Sequence, residues 1–310
     1  MPSPAGSLRI GVLQAMAACF AWAFAFIGPL ILSDWPGLAV AAGRYIAYGA
    51  ASLLTLWLLH RRGQVQLRDA GLWRESLLLT LFGNLLYYAL LSVAVQKAGY
   101  VMPTLIIGLL PVTVSLAARW RQRRPITLRY GWALLLILIG LWLAQVPALD
   151  ALGSLHATSR DERIGWLCAA GSTLLWTVYG VMNAERLKAR PGVSGLQWTS
   201  LQGTAALPFA LLLFAANRPD AGHDGADWAL FIAVSLFLGL VTSWLANTLW
   251  NLSSTRLPPS LLGQMIVFET VGGIAYGAIW TGAWPAATVL VGTAVLIGGV
   301  IVALSERQPA

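Results

Sequence analysis

The chain has 310 residues, of which 58% are hydrophobic and only 10% are charged. A soluble domain of ordinary composition has about 25% charged residues, so this composition excludes a soluble globular protein. The net charge of +8 does not indicate nucleic-acid binding, because the basic residues gather in the connections on one side of the predicted helices.

Apolar stretches long enough to cross a membrane recur along the whole chain. An α-helix needs roughly 20 apolar residues to span the hydrocarbon core of a bilayer. We number the predicted segments 1 to 10; they cover residues 11–32, 36–59, 74–96, 101–119, 130–147, 164–184, 195–216, 228–250, 259–280 and 285–304. The sequence therefore predicts an all-α integral membrane protein with ten transmembrane helices.

The connections between these segments differ in charge from one side to the other. When they are assigned alternately to two sides, one side receives most of the Lys and Arg residues. The other side receives only Lys97, Arg160, Arg163 and Arg218, together with most of the acidic residues. By the positive-inside rule the basic side is cytoplasmic, so both termini are predicted to be cytoplasmic.

Segments 1 and 6 share a sequence pattern. With an offset of 154 residues, GVLQAMAACFAW falls on GWLCAAGSTLLW and matches it at glycine, leucine, alanine and tryptophan. Segments 4 and 9 also resemble each other, at Pro103-Thr104-Leu105 and Pro259-Ser260-Leu261. Residues 1–150 and 151–310 then form two five-helix halves, which must be inverted because five is odd. Inverted repeats are typical of secondary transporters.

These features resemble the drug/metabolite transporter superfamily. The resemblance rests on the five-plus-five repeat, on LLWTVYGVMNAERL at 174–187 and on GLLPVTVSLAARWRQRRPITLRYGWALLLILIG at 108–140. Within the superfamily, LLWTVYGVMN and IGLLPVTVSL are most similar to bacterial exporters of aromatic amino acids. The resemblance implies a multi-pass protein of the bacterial inner (plasma) membrane. It also implies a central cavity inside segments 1–4 and 6–9, with segments 5 and 10 outside and alternating access.

Aromatic and polar residues near mid-membrane are the candidates for the cavity lining. Trp22 and Trp176 lie about 16 Å and 18 Å into their segments, although tryptophan normally prefers the interface. In segment 6 a stripe at i, i+4, i+7 and i+11 should face protein or water, and it consists of Ser172, Trp176, Tyr179 and Asn183. Helix packing is the alternative interpretation of both features.

Segments 3 and 9 add further candidates. Asn84, Tyr87 and Tyr88 share one face of segment 3 at i, i+3 and i+4, where Asn84 either lines the cavity or bonds a neighbouring helix. Gln264 and Tyr276 extend the polar surface of segment 9. This mixture of aromatic and amide groups suits an amphiphilic organic solute.

Arg44 and Glu269 are the only charged residues well inside segments. Measured from the outer surface, they lie at similar depths of about 12 Å and 17 Å. A lone carboxylate at mid-membrane needs a proton or a partner. Three alternatives follow: a partly hydrated Arg44–Glu269 pair beside the cavity, Glu269 alone as a site for a substrate ammonium or a proton, or hydrogen bonding to neighbouring helices.

The segments contain no nucleophile–base pair, phosphate loop or paired carboxylates, so the sequence predicts a transporter and not an enzyme. No cofactor and no metal site is predicted. The expected function is export of amino acids, most of all aromatic or bulky apolar ones, by a monomer in the lipid bilayer. Export of other small metabolites or hydrophobic cations is the alternative. A channel-like pore and an intramembrane transferase acting on a lipid-linked substrate are more remote ones.

Overall fold

The computed structural model describes residues 4–65, 67–99, 101–152, 159–218, 222–282 and 284–305. Within these ranges the secondary structure is helical, without any β-strand, and seven helices are long and apolar enough to cross a membrane. These seven are segments 2, 3, 5, 6, 7, 8 and 10, at Gly37–Arg61, Ala70–Ala98, Leu128–Pro147, Arg160–Lys188, Gly195–Ala216, Gly225–Ser254 and Ala287–Leu304. The helix of segment 5 continues to Leu152. The prediction of an all-α membrane protein is confirmed.

The three remaining segments, 1, 4 and 9, are helical but interrupted. Their pieces are Pro4–Ala23, Phe24–Phe26 and Gly28–Ile31 in segment 1, Val101–Ile107 and Leu110–Arg121 in segment 4, and Pro259–Met265 and Val267–Thr281 in segment 9. Pro29 and Pro111 stand just after the breaks in segments 1 and 4, because a proline nitrogen cannot continue the backbone ladder. The count of ten membrane-crossing helices stays a prediction.

Segments 3 and 8 are both widened by a π-helical turn, at Leu81–Leu86 and Leu238–Leu245. In a π turn the backbone hydrogen bond spans five residues instead of four, so one extra residue is inserted. Such turns leave local carbonyl groups accessible to side-chain donors, and they are frequent at functional sites. The turn in segment 8 contacts segment 2, and the turn in segment 3 lines the cavity described below.

Segments 3 and 6 pack against each other as antiparallel neighbours along their length. Ion pairs join them at both ends. Lys97 Nζ lies 2.7 Å from Asp161 at one end, and Glu75 accepts from Arg186 at 3.0 Å and from Arg190 at 2.8 Å at the other. This pairing ties the first half of the chain to the second.

Segments 5 and 10 pack closely against each other through glycines. A Cβ atom on Gly140 would lie 2.7 Å from the Gly292 carbonyl oxygen, and one on Gly292 would lie 2.7 Å from the Gly140 carbonyl oxygen. Small residues of this kind let two membrane helices approach closely. Segments 5 and 10 contribute no side chain to the cavity described below.

The outer surface of the helices is strongly apolar. Leu13, Leu174 and Ile279 are 64%, 67% and 78% exposed, whereas many serine, threonine and asparagine side chains are buried. This distribution is unfavourable in water. It is stable in a bilayer, because the lipid tails are apolar and burial of leucine brings no hydrophobic gain there. The polar interior therefore belongs to a membrane protein.

Candidate functional site

A small cavity lies between segments 1, 2, 3, 6, 8 and 9, among the residues that the structure describes. Its lining consists of Trp22, Ala25, Arg44, Tyr45, Gly83, Asn84, Tyr87, Tyr88, Leu91, Trp176, Asn247 and Glu269. The space for water centres is ≈ 20 Å³, which holds about one or two waters. In this conformation the central cavity is too small for an organic solute, so binding of one requires the lining to move apart.

A tryptophan cluster forms one wall of this cavity. The Trp22 ring centroid lies 5.7 Å from that of Trp176 in an edge-to-face arrangement, and 4.9 Å from that of Trp250. Trp176 also contacts Trp250 at 5.7 Å and Tyr87 at 6.5 Å. Edge-to-face and tilted pairs at these distances are favourable for aromatic rings. Trp22, Tyr87 and Trp176, from segments 1, 3 and 6, line the cavity as a broad apolar surface, and the fully buried Trp250 of segment 8 packs against the two lining tryptophans.

Arg44 is only 5% exposed and is held in a fixed orientation by segment 8. Its Nε donates to Ser243 Oγ at 2.8 Å and its Nη2 donates to the Thr242 carbonyl oxygen at 3.1 Å. Both acceptors belong to the π turn of segment 8. The guanidinium carbon lies 4.3 Å from the Tyr88 ring centroid, a cation–π distance that partly offsets the cost of burial.

Tyr45, the next residue on segment 2, binds the π turn of segment 3 in a comparable way. Its hydroxyl donates to the Asn84 carbonyl oxygen at 2.8 Å. The Asn84 side chain accepts from Asn247 at 3.2 Å and donates to Gln202 at 3.4 Å. Consecutive residues of segment 2 therefore use carbonyl groups at the two π turns, and these contacts position the polar part of the lining.

Glu269 faces the cavity from the first turn of Val267–Thr281, just after the break in segment 9. The amide dipoles at a helix start favour a carboxylate there. Within the described part of the chain, no ion pair within 4.0 Å joins Glu269 to Arg44 or to another cation. Two opposite charges thus line one cavity without direct contact between them.

The comparisons with known proteins agree with this architecture. The EamA-like transporter family matches residues 9–145, and inner membrane protein YtfF of Escherichia coli (strain K12) is 32% identical over 96% of this chain and 95% of its own. This chain belongs to the EamA-like transporter family. A crystal structure of another protein, with 19% identity, has a TM-score of 0.72 over 94% of this chain and 96% of that one. That likeness shows a shared fold.

The predicted superfamily is confirmed, because the EamA-like family is part of the drug/metabolite transporter superfamily. The predicted location is also confirmed: the EamA-like chain is a multi-pass protein of the bacterial inner membrane. No cluster of three His, Cys, Asp or Glu side chains suited to a metal ion occurs in the residues that the structure describes.

Seven of the twelve candidate residues from the sequence lie at the cavity of the EamA-like chain. They are Trp22, Arg44, Asn84, Tyr87, Tyr88, Trp176 and Glu269. Arg44 and Glu269 face the same cavity without direct contact, because Arg44 donates its hydrogen bonds to segment 8 and the two charged groups are more than 4.0 Å apart. The partly hydrated pair stays a prediction.

Three residues of the predicted stripe in segment 6 do not line the cavity. Ser172 donates to the Tyr87 carbonyl oxygen at 2.9 Å, and Tyr179 donates to Gln202 at 3.3 Å. Asn183 is fully buried and bonds Asn251 at 2.7 Å. In this conformation neighbouring helices satisfy their polar atoms, and a place for them in the lining of an opened cavity stays a prediction. Of this stripe only Trp176 reaches the cavity.

The two further candidates in segment 9 also lie outside the lining. Gln264 is 1% exposed and is buried in the first piece of the segment. Tyr276 donates to the Phe20 carbonyl oxygen at 3.1 Å and its ring stacks on Phe24 at 4.0 Å. Both side chains therefore pack within the helices and away from the cavity, and the interruption at Ile266 separates Gln264 from the piece that carries Glu269.

The sequence interpretation missed two lining residues, Tyr45 and Asn247, and also Trp250, which packs against the lining tryptophans from outside the cavity. Tyr45 adjoins Arg44, and its position next to the one buried arginine of segment 2 was a usable signal. Asn247 and Asn251 are spaced i, i+4 in segment 8, which puts two amides on one face of an apolar helix. Nothing in the sequence distinguishes Trp250 from the other tryptophans of the chain.

Proposed function

We propose that this chain is a secondary transporter that exports amino acids, most of all aromatic or bulky apolar ones, by alternating access through the central cavity. Membership of a transporter family supports the transporter part of the proposal. The substrate class rests on the lining, in which an aromatic wall stands beside two isolated opposite charges. An aromatic amino acid has the same combination of an apolar ring and a dipolar head group. Under this proposal the chain has no enzymatic activity and uses no cofactor.

The inverted repeat of residues 1–150 and 151–310 is part of this proposal. It is supported by irregularities that recur in the two halves: π turns at 81–86 and 238–245, and breaks near 108 and 266. Trp22 and Trp176, which the sequence repeat aligns, meet at the cavity at 5.7 Å. Two such halves can rock against each other around a fixed site, which is the basis of alternating access.

We also propose cytoplasmic termini and a functional monomer. The charge distribution of the connections supports the orientation. The monomer follows from the proposed inverted repeat, because the two halves that would rock against each other belong to one chain. Segments 5 and 10 pack against each other at the side of the helix bundle and leave the central cavity to the other segments.

A second candidate substrate class, hydrophobic cations, is favoured by the carboxylate of Glu269 beside aromatic rings. Carboxylates and aromatic faces both attract cations. Arg44 opposes this assignment, because a buried guanidinium in the same cavity repels a cation through a medium that screens charge poorly. An amino acid avoids this conflict, since its carboxylate compensates the arginine.

The test is transport by the purified chain in proteoliposomes. Vesicles loaded with labelled Phe, Trp or Tyr are compared with vesicles loaded with a labelled sugar or nucleotide, and with protein-free vesicles. We expect protein-dependent release of the amino acids and none of the sugar or nucleotide. Strong release of the sugar or nucleotide together with no response to the three amino acids would refute the proposed substrate class. Release of a hydrophobic cation alone would favour the second candidate.

A further inference from the structure

We propose that Arg44 and Glu269 form the two poles of a zwitterion-binding site, in which Arg44 binds the α-carboxylate of the substrate and Glu269 binds its α-ammonium group. This inference rests on the proposed function and deepens it. It assigns the recognition of the amino acid head group, and hence the rejection of related amines and acids, to two named side chains.

The first observation is the state of the Arg44 guanidinium. Of its five N–H groups, one on Nε and one on Nη2 are used by Ser243 and the Thr242 carbonyl oxygen. Apart from these two bonds and the contact with the Tyr88 side chain, the guanidinium has no carboxylate within 4.0 Å among the described residues. One N–H on each terminal nitrogen can therefore receive a carboxylate as a two-pronged ligand, which is the arrangement that arginine favours.

The contacts of Arg44 also fix its direction. Ser243 and Thr242 hold the Nε side of the guanidinium, and the Tyr88 ring covers one face at 4.3 Å. These groups restrict rotation of a long side chain, so little conformational entropy is lost when a ligand binds. An arginine held in place in this way, at the lining of a cavity and without an anion, is prepared for an anionic ligand.

The second observation is the Glu269 carboxylate across the same cavity. It lies in the first turn of Val267–Thr281 and has no hydrogen-bond donor or cation within the part of the chain that the structure describes. An unpaired carboxylate inside a membrane protein is unfavourable and is commonly part of a substrate or ion pathway. An ammonium group in the cavity removes this cost, because it supplies both positive charge and hydrogen-bond donors.

The separation of the two groups favours a ligand that carries both charges. If Arg44 and Glu269 were in contact they would neutralise each other, and the site would have no use for a zwitterion. They are more than 4.0 Å apart. The ammonium and carboxylate groups of an amino acid are attached to one carbon atom, so a zwitterion can bridge the gap with each charge facing its opposite.

Ligands with a single charge fit this arrangement poorly. An amine satisfies Glu269 but leaves Arg44 unpaired and is repelled by it, and an acid has the reverse defect. Since a hydrogen bond to a charged group typically changes affinity about 10- to 100-fold, each missing charge should weaken binding by that factor. The aromatic wall of Trp22, Trp176 and Tyr87 contributes equally in all three cases, because these ligands share the same ring.

The experiment compares three indole compounds as competitors of labelled tryptophan release from proteoliposomes: tryptophan, tryptamine, which lacks the carboxylate, and indole-3-propionate, which lacks the ammonium group. For the wild-type chain we expect tryptophan to compete about 10- to 100-fold better than either analogue. Equal competition by all three would overturn the inference, and this arm needs no variant to fold.

One variant tests the role of each charged residue. Glu269→Gln should lose the discrimination against indole-3-propionate and keep that against tryptamine, whereas Arg44→Gln should do the opposite. Arg121→Gln and Glu185→Gln remove the same charges from an ion pair at an exposed end of segments 4 and 6 and serve as matched controls. They should leave the competition pattern unchanged. Variants that lower transport but keep the wild-type discrimination would refute the assignment.

The remaining outcomes separate the two proposals. If none of the standard amino acids is released by the wild-type chain, the proposed function fails and the zwitterion site fails with it. If amino acids are released but the analogues with one charge compete equally well, only the zwitterion site fails. If Glu269→Gln keeps the discrimination and abolishes dependence on a pH gradient, Glu269 is a proton site and its assignment to the ammonium group is wrong.

Discussion

Replacing Asn183 with alanine removes three hydrogen bonds from the centre of the buried polar network. The side-chain Nδ2 donates to Asn251 Oδ1 at 2.7 Å, and the side-chain oxygen accepts from Trp198 Nε1 at 2.7 Å and from Gln202 Nε2 at 2.9 Å. Asn183 is 0% exposed, so water does not replace these partners. The network joins segments 6, 7 and 8 and adjoins the cavity without lining it.

The expected loss of stability follows from the number of bonds. Hydrogen bonds between membrane helices contribute about 0.6 kcal/mol on average and up to about 1.7 kcal/mol. Three bonds therefore give about 2 to 5 kcal/mol, because the partners of Asn183 are left unpaired in a buried site. At about 2 °C per kcal/mol for a chain of this size, the midpoint of thermal unfolding should fall by about 4 to 10 °C.

Thermal unfolding in detergent and transport per folded molecule are the two measurements. Asn217→Ala is the control, because this amide makes one hydrogen bond, to Leu213 at a helix end, and its loss should cost under about 1 kcal/mol. We expect Asn183→Ala to transport normally once folded. Unchanged stability together with a loss of tryptophan transport would show that Asn183 contacts the substrate and would refute its assignment to a structural role.

Three further predictions concern the aromatic lining of the cavity, the helix contact beside Arg44 and the residue that caps the start of segment 3. Trp176→Ala should reduce transport per folded molecule at least about tenfold, whereas Trp176→Phe should keep most of it because a ring still faces Trp22; equal transport by both variants would contradict the role of the wall. Gly239→Ala should lower the free energy of unfolding by about 1 to 3 kcal/mol and impair transport, because a Cβ there would lie 2.7 Å from the Arg44 carbonyl oxygen. Gly273→Ala is the control and should be tolerated, because the space beside Gly273 is open. The backbone N–H groups of Leu72 and Gly71, together with Arg190, lower the pKa of Asp69. The contribution of the Asp69 carboxylate to the stability of the folded chain is therefore present above about pH 4 and is lost as the pH falls through that lowered pKa. An Asp69→Asn variant that stays less stable than the wild type below this pH would contradict the prediction.

Hydropathy alone was sufficient to place the helices. All ten predicted segments coincide with helical stretches in the described residues, since the need to satisfy backbone groups in lipid leaves no other structure for long apolar stretches. Hydropathy did not predict the interruptions in segments 1, 4 and 9 or the π turns. The breaks in segments 1 and 4 adjoin Pro29 and Pro111, whereas the two π turns and the break at Ile266 contain no proline. The π turn of segment 8 accepts hydrogen bonds from Arg44 of another helix, a contact that hydropathy does not reveal.

The candidate site was predictable in part. Charged and aromatic residues in apolar segments identified Arg44, Glu269, Trp22 and Trp176, because such residues are costly unless they face a cavity or a partner. The same reasoning did not foresee that the Asn183 amide is paired with other buried amides in this conformation. One sequence cannot show which polar side chains of different helices pair with one another, so lining and packing amides look alike until the helices are assembled.

The most direct test of the central claim is to locate the substrate in the protein. Crystals of the wild-type chain grown with bromotryptophan would place the ligand by the anomalous signal of its bromine atom. We expect an expanded central cavity with the indole against Trp176, the carboxylate within hydrogen-bond distance of the Arg44 guanidinium and the ammonium group beside Glu269. A bromine peak elsewhere, or an empty cavity at a concentration that saturates transport, would contradict it.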